Sequence, residues 1–493
     1  MSRRCISFSN LGNNCGIVFR HSSAADSTWA VRNRETTIRS IHNSDEIAPG
    51  AFITGIGIAS TIGVGRDAFY KALISGTSGV VHYVPPGLEG AGPSTAALVP
   101  YFPTVPGIQR STQLAFAATE EALLDAGLND CSYRAMPSLT GKPSLTTDVP
   151  DDSLHLNKTA SDERIMSYGH RKEPMIGLYL GETLSSMEAM KHLEEILREG
   201  NNASKDGALA DALKDIREST VARVAKRFGL SGEVLTFGSG CTGGLFALGR
   251  AARDVLEGTT SLILAGSSES NLFPFAFGVL SRAKLLTSCP NPNEAGRPFD
   301  EDRDGEVTAE GSAMFVVEHP DSAVERGAEP YAIVSGFGTA GDAHHFKYNK
   351  PDGESLLNAS KMALNMASLD ASDIDLVIAH ASGFKRSDAI EVRALANLLS
   401  GCKTFPPVIS IKGATGQAFS AGGLFQVAAA LCALEKGIIP PTAHFKQADE
   451  DDPFDHVPTA RKAEVPIRHI LITSYGYGGG KAALVLSAHG KVR

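Results

Sequence analysis

Val234-Leu-Thr-Phe-Gly-Ser-Gly-Cys-Thr-Gly-Gly-Leu-Phe-Ala-Leu-Gly249 joins a β-prone run to an apolar helical stretch through a glycine-broken turn. Cys241 falls at that turn, at or near a helix start. Free N–H groups and the positive end of the helix dipole there would favour a thiolate, and Gly240, Gly243 and Gly244 allow a sharp bend and close approach of a substrate. From the turn alone, a small buried core cysteine fits slightly better than a nucleophile.

Outward from the turn, the chain repeats itself. Ala51-Phe-Ile-Thr-Gly-Ile-Gly-Ile-Ala-Ser60 and Tyr331-Ala-Ile-Val-Ser-Gly-Phe-Gly-Thr339 share an apolar strand, a small residue, Gly, an apolar residue and Gly. Val408-Ile-Ser-Ile411 enters Lys-Gly-Ala-Thr-Gly-Gln417 and an apolar helix, as Val234–Phe237 enters the cysteine turn. Each half closes with a strand that reads as buried, Ser261–Gly266 and His469–Ser474. Strands alternating with helices and lacking polar alternation indicate α/β layers with both sheet faces covered. The helices at Leu245–Ala252 and Ala421–Leu431 are small and apolar nearly all round, which suits burial between two sheets. The expected fold is a five-layer αβαβα sandwich of two duplicated halves, residues 49–327 and 328–493. An extension over 1–48 precedes them, and an insertion rich in Ser, Thr, Pro, Asp and Lys spans about 131–173.

Composition narrows the function. The 493 residues are 42% hydrophobic, enough for a sizeable core, and the formal net charge of -9 gives no basic footprint for nucleic acid or an anionic membrane. No run approaches the roughly 20 apolar residues that span a bilayer. Seven cysteines lack metal-ligand spacing and suit reduced thiols, so a cytoplasmic protein without disulfides is expected. The six arginines in residues 1–44 resemble a transit peptide in composition, but without an amphipathic stripe or cleavage signal a poorly packed extension is the better reading. His344 and His345 are adjacent and would face opposite ways on a strand, so no metal site is expected.

From about residue 51 to 489 the sequence resembles the ketoacyl synthases, the decarboxylating condensing enzymes of fatty acid and polyketide synthesis in the thiolase superfamily. The motifs are ordered: Gly240–Gly244, Leu264–Glu269, Gly296-Arg-Pro-Phe-Asp-Glu-Asp-Arg-Asp-Gly305 with Glu310-Gly311, and Asp342–His345. They continue through Ala379-His-Ala-Ser-Gly383 with Asp388 and Glu391, then Ser474-Tyr-Gly-Tyr-Gly-Gly479. The resemblance implies a thiolase-like fold and no cofactor on this chain, the phosphopantetheine arm belonging to an acyl carrier protein partner. It further implies a homodimer, or a heterodimer with another ketosynthase, and acyl and malonyl thioesters as substrates.

The same resemblance assigns roles. Cys241 accepts the acyl group, His380 matches the first catalytic histidine, and Lys412 the lysine five residues before the second. Gln417 occupies the second histidine's place. Glutamine cannot shuttle a proton, yet its amide can donate to a thioester oxygen and stabilise an enolate. Ser382 keeps one pantetheine-contacting hydroxyl and Phe384 replaces the other, Tyr477 stands for a gating phenylalanine, and Lys481 replaces an asparagine. The N–H groups of Cys241 and Tyr477 would form an oxyanion hole, while Asp304 and Glu310 would have structural or supporting roles. The leading expectation is decarboxylative Claisen condensation from Cys241. Acyl transfer or thioester hydrolysis without condensation, and a non-catalytic partner subunit, are the alternatives. A thiolase ranks last, because Ser474–Lys481 contains no second cysteine.

Overall fold

The computed structural model describes residues 50–90, 92–105, 108–128, 175–183 and 219–490. The expected extension over 1–48 and the insertion over 131–173 lie outside the described residues.

The first repeat unit forms β1 (Ala51–Ser60), α1 (Arg110–Asp125), β2 (Gly177–Gly181), α2 (Thr220–Phe228), β3 (Val234–Phe237), α3 (Gly243–Leu256), β4 (Leu262–Ser270) and β5 (Glu310–Glu318). The second gives β6 (Ala332–Gly341), α4 (Glu354–Ala367), β7 (Leu376–Ile378), α5 (Lys385–Leu399), β8 (Val408–Ile409), α6 (Ser420–Lys436), β9 (His469–Tyr475) and β10 (Gly480–Ser487). The strand order β8-β7-β9-β10-β6-β1-β5-β4-β2-β3 places each strand of one half opposite its counterpart in the other. β2 is parallel to β3 and β4, as β7 is to β8 and β9, and the remaining neighbours are antiparallel. Where the halves meet, β1 and β6 pair at only three positions, Ala51 with Val334, Phe52 with Ile333 and Ile53 with Ala332.

Three apolar clusters define the layers. α1 and α2 pack with Leu178, Leu264 and Val316 on one outer face, and α4 and α5 with Val377, Leu471 and Val485 on the other. Between them α3 and α6 share a core with Ile56, Tyr179, Ile378 and Leu484 from both halves. This is the αβαβα arrangement expected from two all-apolar helices. No helix among the described residues is long and apolar enough to cross a membrane.

The repeated Gly-x-Gly has one cause in both halves. A Cβ on Gly57 would stand 1.8 Å from the carbonyl oxygen of Ala118 in α1, and one on Gly338 would stand 2.1 Å from that of Ala359 in α4. The outer helices therefore rest directly on strand backbone. Gly57→Ala and Gly338→Ala are each expected to destabilise the protein by about 3 kcal/mol. Gly341→Ala, where an added Cβ meets nothing within 4 Å, should change stability by less than about 0.5 kcal/mol in the same denaturant titration.

Candidate active site

Cys241 sits in a single 3-10 turn, Gly240–Thr242, that runs into α3. Gly240 takes φ 63° to make the bend, and Thr242 Oγ1 donates to Ser239 O at 2.7 Å to hold it. The second half supplies the partners. His380 follows β7, and Gln417 lies between a short helical turn, Lys412–Thr415, and α6.

Each partner is fixed through its backbone. Glu391 on α5 accepts the N–H groups of His380 at 2.9 Å and Ala381 at 2.8 Å, and the Thr473 hydroxyl at 2.6 Å. One turn earlier Asp388 accepts those of Ser382 at 3.1 Å and Gly383 at 3.0 Å. Gln417 N donates to Val307 O at 2.7 Å, and Ala309 N to Gln417 O at 3.0 Å. Both side chains thus project from clamped loops toward the sulfur.

The Gln417 amide nitrogen lies 3.6 Å from Cys241 Sγ and 3.3 Å from His380 Nε2, and the Ser474 hydroxyl lies 3.3 Å from both His380 Nδ1 and Cys241 O. One donor order satisfies all four contacts. Ser474 donates to the Cys241 carbonyl and accepts from His380 Nδ1–H, leaving the Nε2 lone pair to accept one amide hydrogen while the other points to the sulfur. Gln417 Oε1 then faces the side of Lys412: a Cβ on Gly422 would lie 3.2 Å from Oε1 and 3.7 Å from Lys412 Cε. Neither Oε1 nor Lys412 Nζ has a hydrogen-bond partner among the described residues.

Burial governs the electrostatics. Cys241 is 2% exposed, and its thiol is pushed up to about 12 by burial and by Glu306, with Lys412 opposing. Burial therefore opposes the thiolate expected at a helix start. Burial also holds His380 well below the usual imidazole range, helped by the charges of Lys412 and Lys481, and it lowers Lys412. The resting site is a neutral thiol beside a neutral imidazole.

A narrow pocket beside the sulfur is lined by His380, Gln417, Ser382, Phe384 and Tyr477. Gly476 and Gly240 bring the two expected oxyanion-hole segments together: added Cβ atoms would stand 3.1 Å from Cys241 N and 3.9 Å from Tyr477 N respectively. Tyr477 does not present a free hydroxyl, since it donates to Glu306 Oε1 at 3.1 Å. Asp304 and Glu310 are not among the residues lining this pocket. Asp304 accepts from the backbone N–H of Ser288 at 2.9 Å and its hydroxyl at 2.6 Å, and Glu310 accepts Arg110 at 2.8 and 3.1 Å. Both order loops.

Sequence reasoning missed Glu306, which lies between those two acids and lines the cavity. The signal was a carboxylate in an otherwise apolar run leading into a buried strand, Glu306-Val-Thr-Ala309. Lys481 was read only as a departure; it pairs with Asp342 at 2.8 Å, both almost fully buried, and donates to Gly479 O at 3.1 Å. The pair ties the C-terminal glycine loop to the end of β6. Among the described residues no cluster could hold a metal, and His345 Nδ1 accepts the backbone N–H groups of Lys347 and Tyr348.

The beta-ketoacyl synthase N-terminal domain model matches residues 137–323, and the C-terminal domain model matches 331–446. The tetracenomycin polyketide synthase ketoacyl synthase alpha subunit of Streptomyces glaucescens is 30% identical over 459 residues, covering 88% of this chain and 96% of that protein. A type II polyketide-synthase ketosynthase, solved in complex with its acyl-carrier protein and bound to the hexaketide, superposes with a TM-score of 0.74. It is 26% identical and covers 90% of this chain and 100% of its own. The ishigamide ketosynthase/chain length factor gives a TM-score of 0.73 at 26% identity and the same coverage.

Two measurements check this geometry. Alkylation of Cys241 by iodoacetamide should accelerate about tenfold per pH unit from 7 to 10 without levelling, as a high thiol pKa requires; a plateau near pH 8 would show an acidified thiol. Lys481→Met, which strands a buried carboxylate, should cost about 3–5 kcal/mol in urea unfolding, and Asp342→Asn added to it should recover a measurable part.

Proposed function

Because this chain belongs to the beta-ketoacyl synthase family, we propose that it condenses acyl and malonyl thioesters from Cys241, with a neutral amide in place of a second imidazole. The observation that carries this is the convergence of Gln417 Nε2 and His380 Nε2 beside Cys241 Sγ.

In the loading step the Cys241 sulfur attacks the carbonyl carbon of an acyl thioester delivered on the phosphopantetheine arm of an acyl carrier protein. The new S–C bond replaces the arm's, and the thiol proton leaves with the arm's sulfur. The N–H groups of Cys241 and Tyr477 would hold the oxyanion in this step. A malonyl thioester then places its carbonyl oxygen between Gln417 and His380. In the imidazole tautomer that carries its hydrogen on Nε2, with Nδ1 accepting from the Ser474 hydroxyl, two neutral donors meet the oxygen. Loss of carbon dioxide leaves an enolate held by those donors. Its carbon attacks the acyl-cysteine carbonyl, and Cys241 departs as a thiolate that takes a proton from solvent as the product leaves. Lys412, charged when protonated, raises the field at the site. No step asks Gln417 to carry a proton.

The protein is expected to dimerise, with itself or with a second ketosynthase. The test is sequential incubation with an acyl carrier-protein thioester and malonyl carrier protein, followed by mass spectrometry and carbon dioxide capture. The acyl mass should appear on Cys241, and the product should be two carbons longer. Gln417→Leu should keep loading and lose decarboxylation by about a hundredfold, the scale of one lost oxyanion donor. Loading without carbon dioxide release in the unmodified protein would select simple acyl transfer, and no acyl mass would sink both readings.

A further inference from the structure

Glu306 is 2% exposed and has no part in the steps above. It is the one carboxylate among the described residues lining the cavity that holds Cys241. Its surroundings make it conspicuous, because Leu272, Phe277, Leu285, Leu286 and Phe419 pack with Cys241 in an apolar layer and Glu306 N is bonded to Leu285 O at 2.9 Å. The carboxylate is served by two hydroxyls, Tyr477 at 3.1 Å and Ser382. The charge of the buried Lys412 opposes the effect of burial on this carboxyl group, while Lys347 Nζ donates to Ala283 O.

We propose that Glu306, with Tyr477, is a specificity-determining pair that selects acyl chains bearing a hydroxyl or oxo oxygen near the thioester over saturated chains. A saturated chain entering this space lies against a buried carboxyl group and phenol and returns no hydrogen bond. An oxygenated chain supplies one. A hydroxyl donates to the carboxylate, and an oxo oxygen accepts from Tyr477 or from the protonated acid, a form that burial favours. A site built to hydrogen-bond a substrate oxygen discriminates against the analogue lacking it more strongly than an apolar pocket rejects an added one.

The selection rests on acyl loading of Cys241, and its test separates the two. Pantetheine thioesters of saturated, 3-hydroxy and 3-oxo chains of equal length are offered separately, and loading of the full-length protein is timed by intact-protein mass spectrometry. Either oxygenated chain should load at least about tenfold faster than the saturated one. Glu306→Leu should abolish or invert that ratio, Glu306→Gln, which still donates and accepts, should retain it, and Tyr477→Phe should shrink it. Equal loading of all three chains by the unmodified protein, or a preference that survives in Glu306→Leu, overturns the proposal while leaving the acyl-enzyme intact. Should Glu306→Leu not fold, the Tyr477→Phe ratio decides, an unchanged preference overturning the proposal. Failure of every chain to load overturns the acyl-enzyme reading and the selection with it.

Discussion

The close contact between the starts of α3 and α6 is the constraint on which the site depends. A Cβ on Gly244 would fall 2.4 Å from the carbonyl oxygen of Ser420, so the helices meet backbone to backbone at that point. Cys241 lies just before one helix and Gln417 just before the other. A fold that buries two apolar helices together, one from each half, brings a thiol from the first half to an amide and an imidazole from the second. The outer layers, seated on the Gly-x-Gly strands, keep the sheets that carry these turns in place.

The second consequence of that burial is electrostatic. A thiol, an imidazole, a lysine and the Glu306 carboxyl group are buried together, and desolvation moves each toward its neutral form. Such a site suits chemistry in which charge appears transiently on a substrate oxygen, because fixed N–H donors act there without competition from solvent. A glutamine in place of a proton-carrying side chain is consistent with this environment. It supplies a donor and adds no further charge to be buried.

Much of this was legible in the sequence because the same physics acts twice. The duplicated strands, the apolar central helices and the glycine turn around Cys241 each left a pattern that a periodicity or spacing argument reads, and the placement of His380 and Gln417 came with the family motifs. What stayed hidden depends on distance in space. The helix start at Cys241 suggests an acid thiol, yet the layers around it reverse the sign. In sequence Lys481 is only a replaced asparagine; its buried partner, Asp342, lies 139 residues away. Glu306 was passed over because its neighbours in sequence drew attention as acids, whereas its neighbours in space are the sulfur, Tyr477 and Ser382. Asp304 and Glu310 show the converse, conspicuous acids that merely order loops.

The central claim is that two neutral donors, one an amide, hold the oxygen on which the enolate charge develops. A crystal structure of the protein with a non-decarboxylating malonyl thioester analogue tests it most directly. The account predicts the thioester carbonyl oxygen within about 2.7–3.2 Å of both Gln417 Nε2 and His380 Nε2. A carbonyl bound elsewhere, or a Gln417 amide turned so that its oxygen faces the substrate, would contradict it.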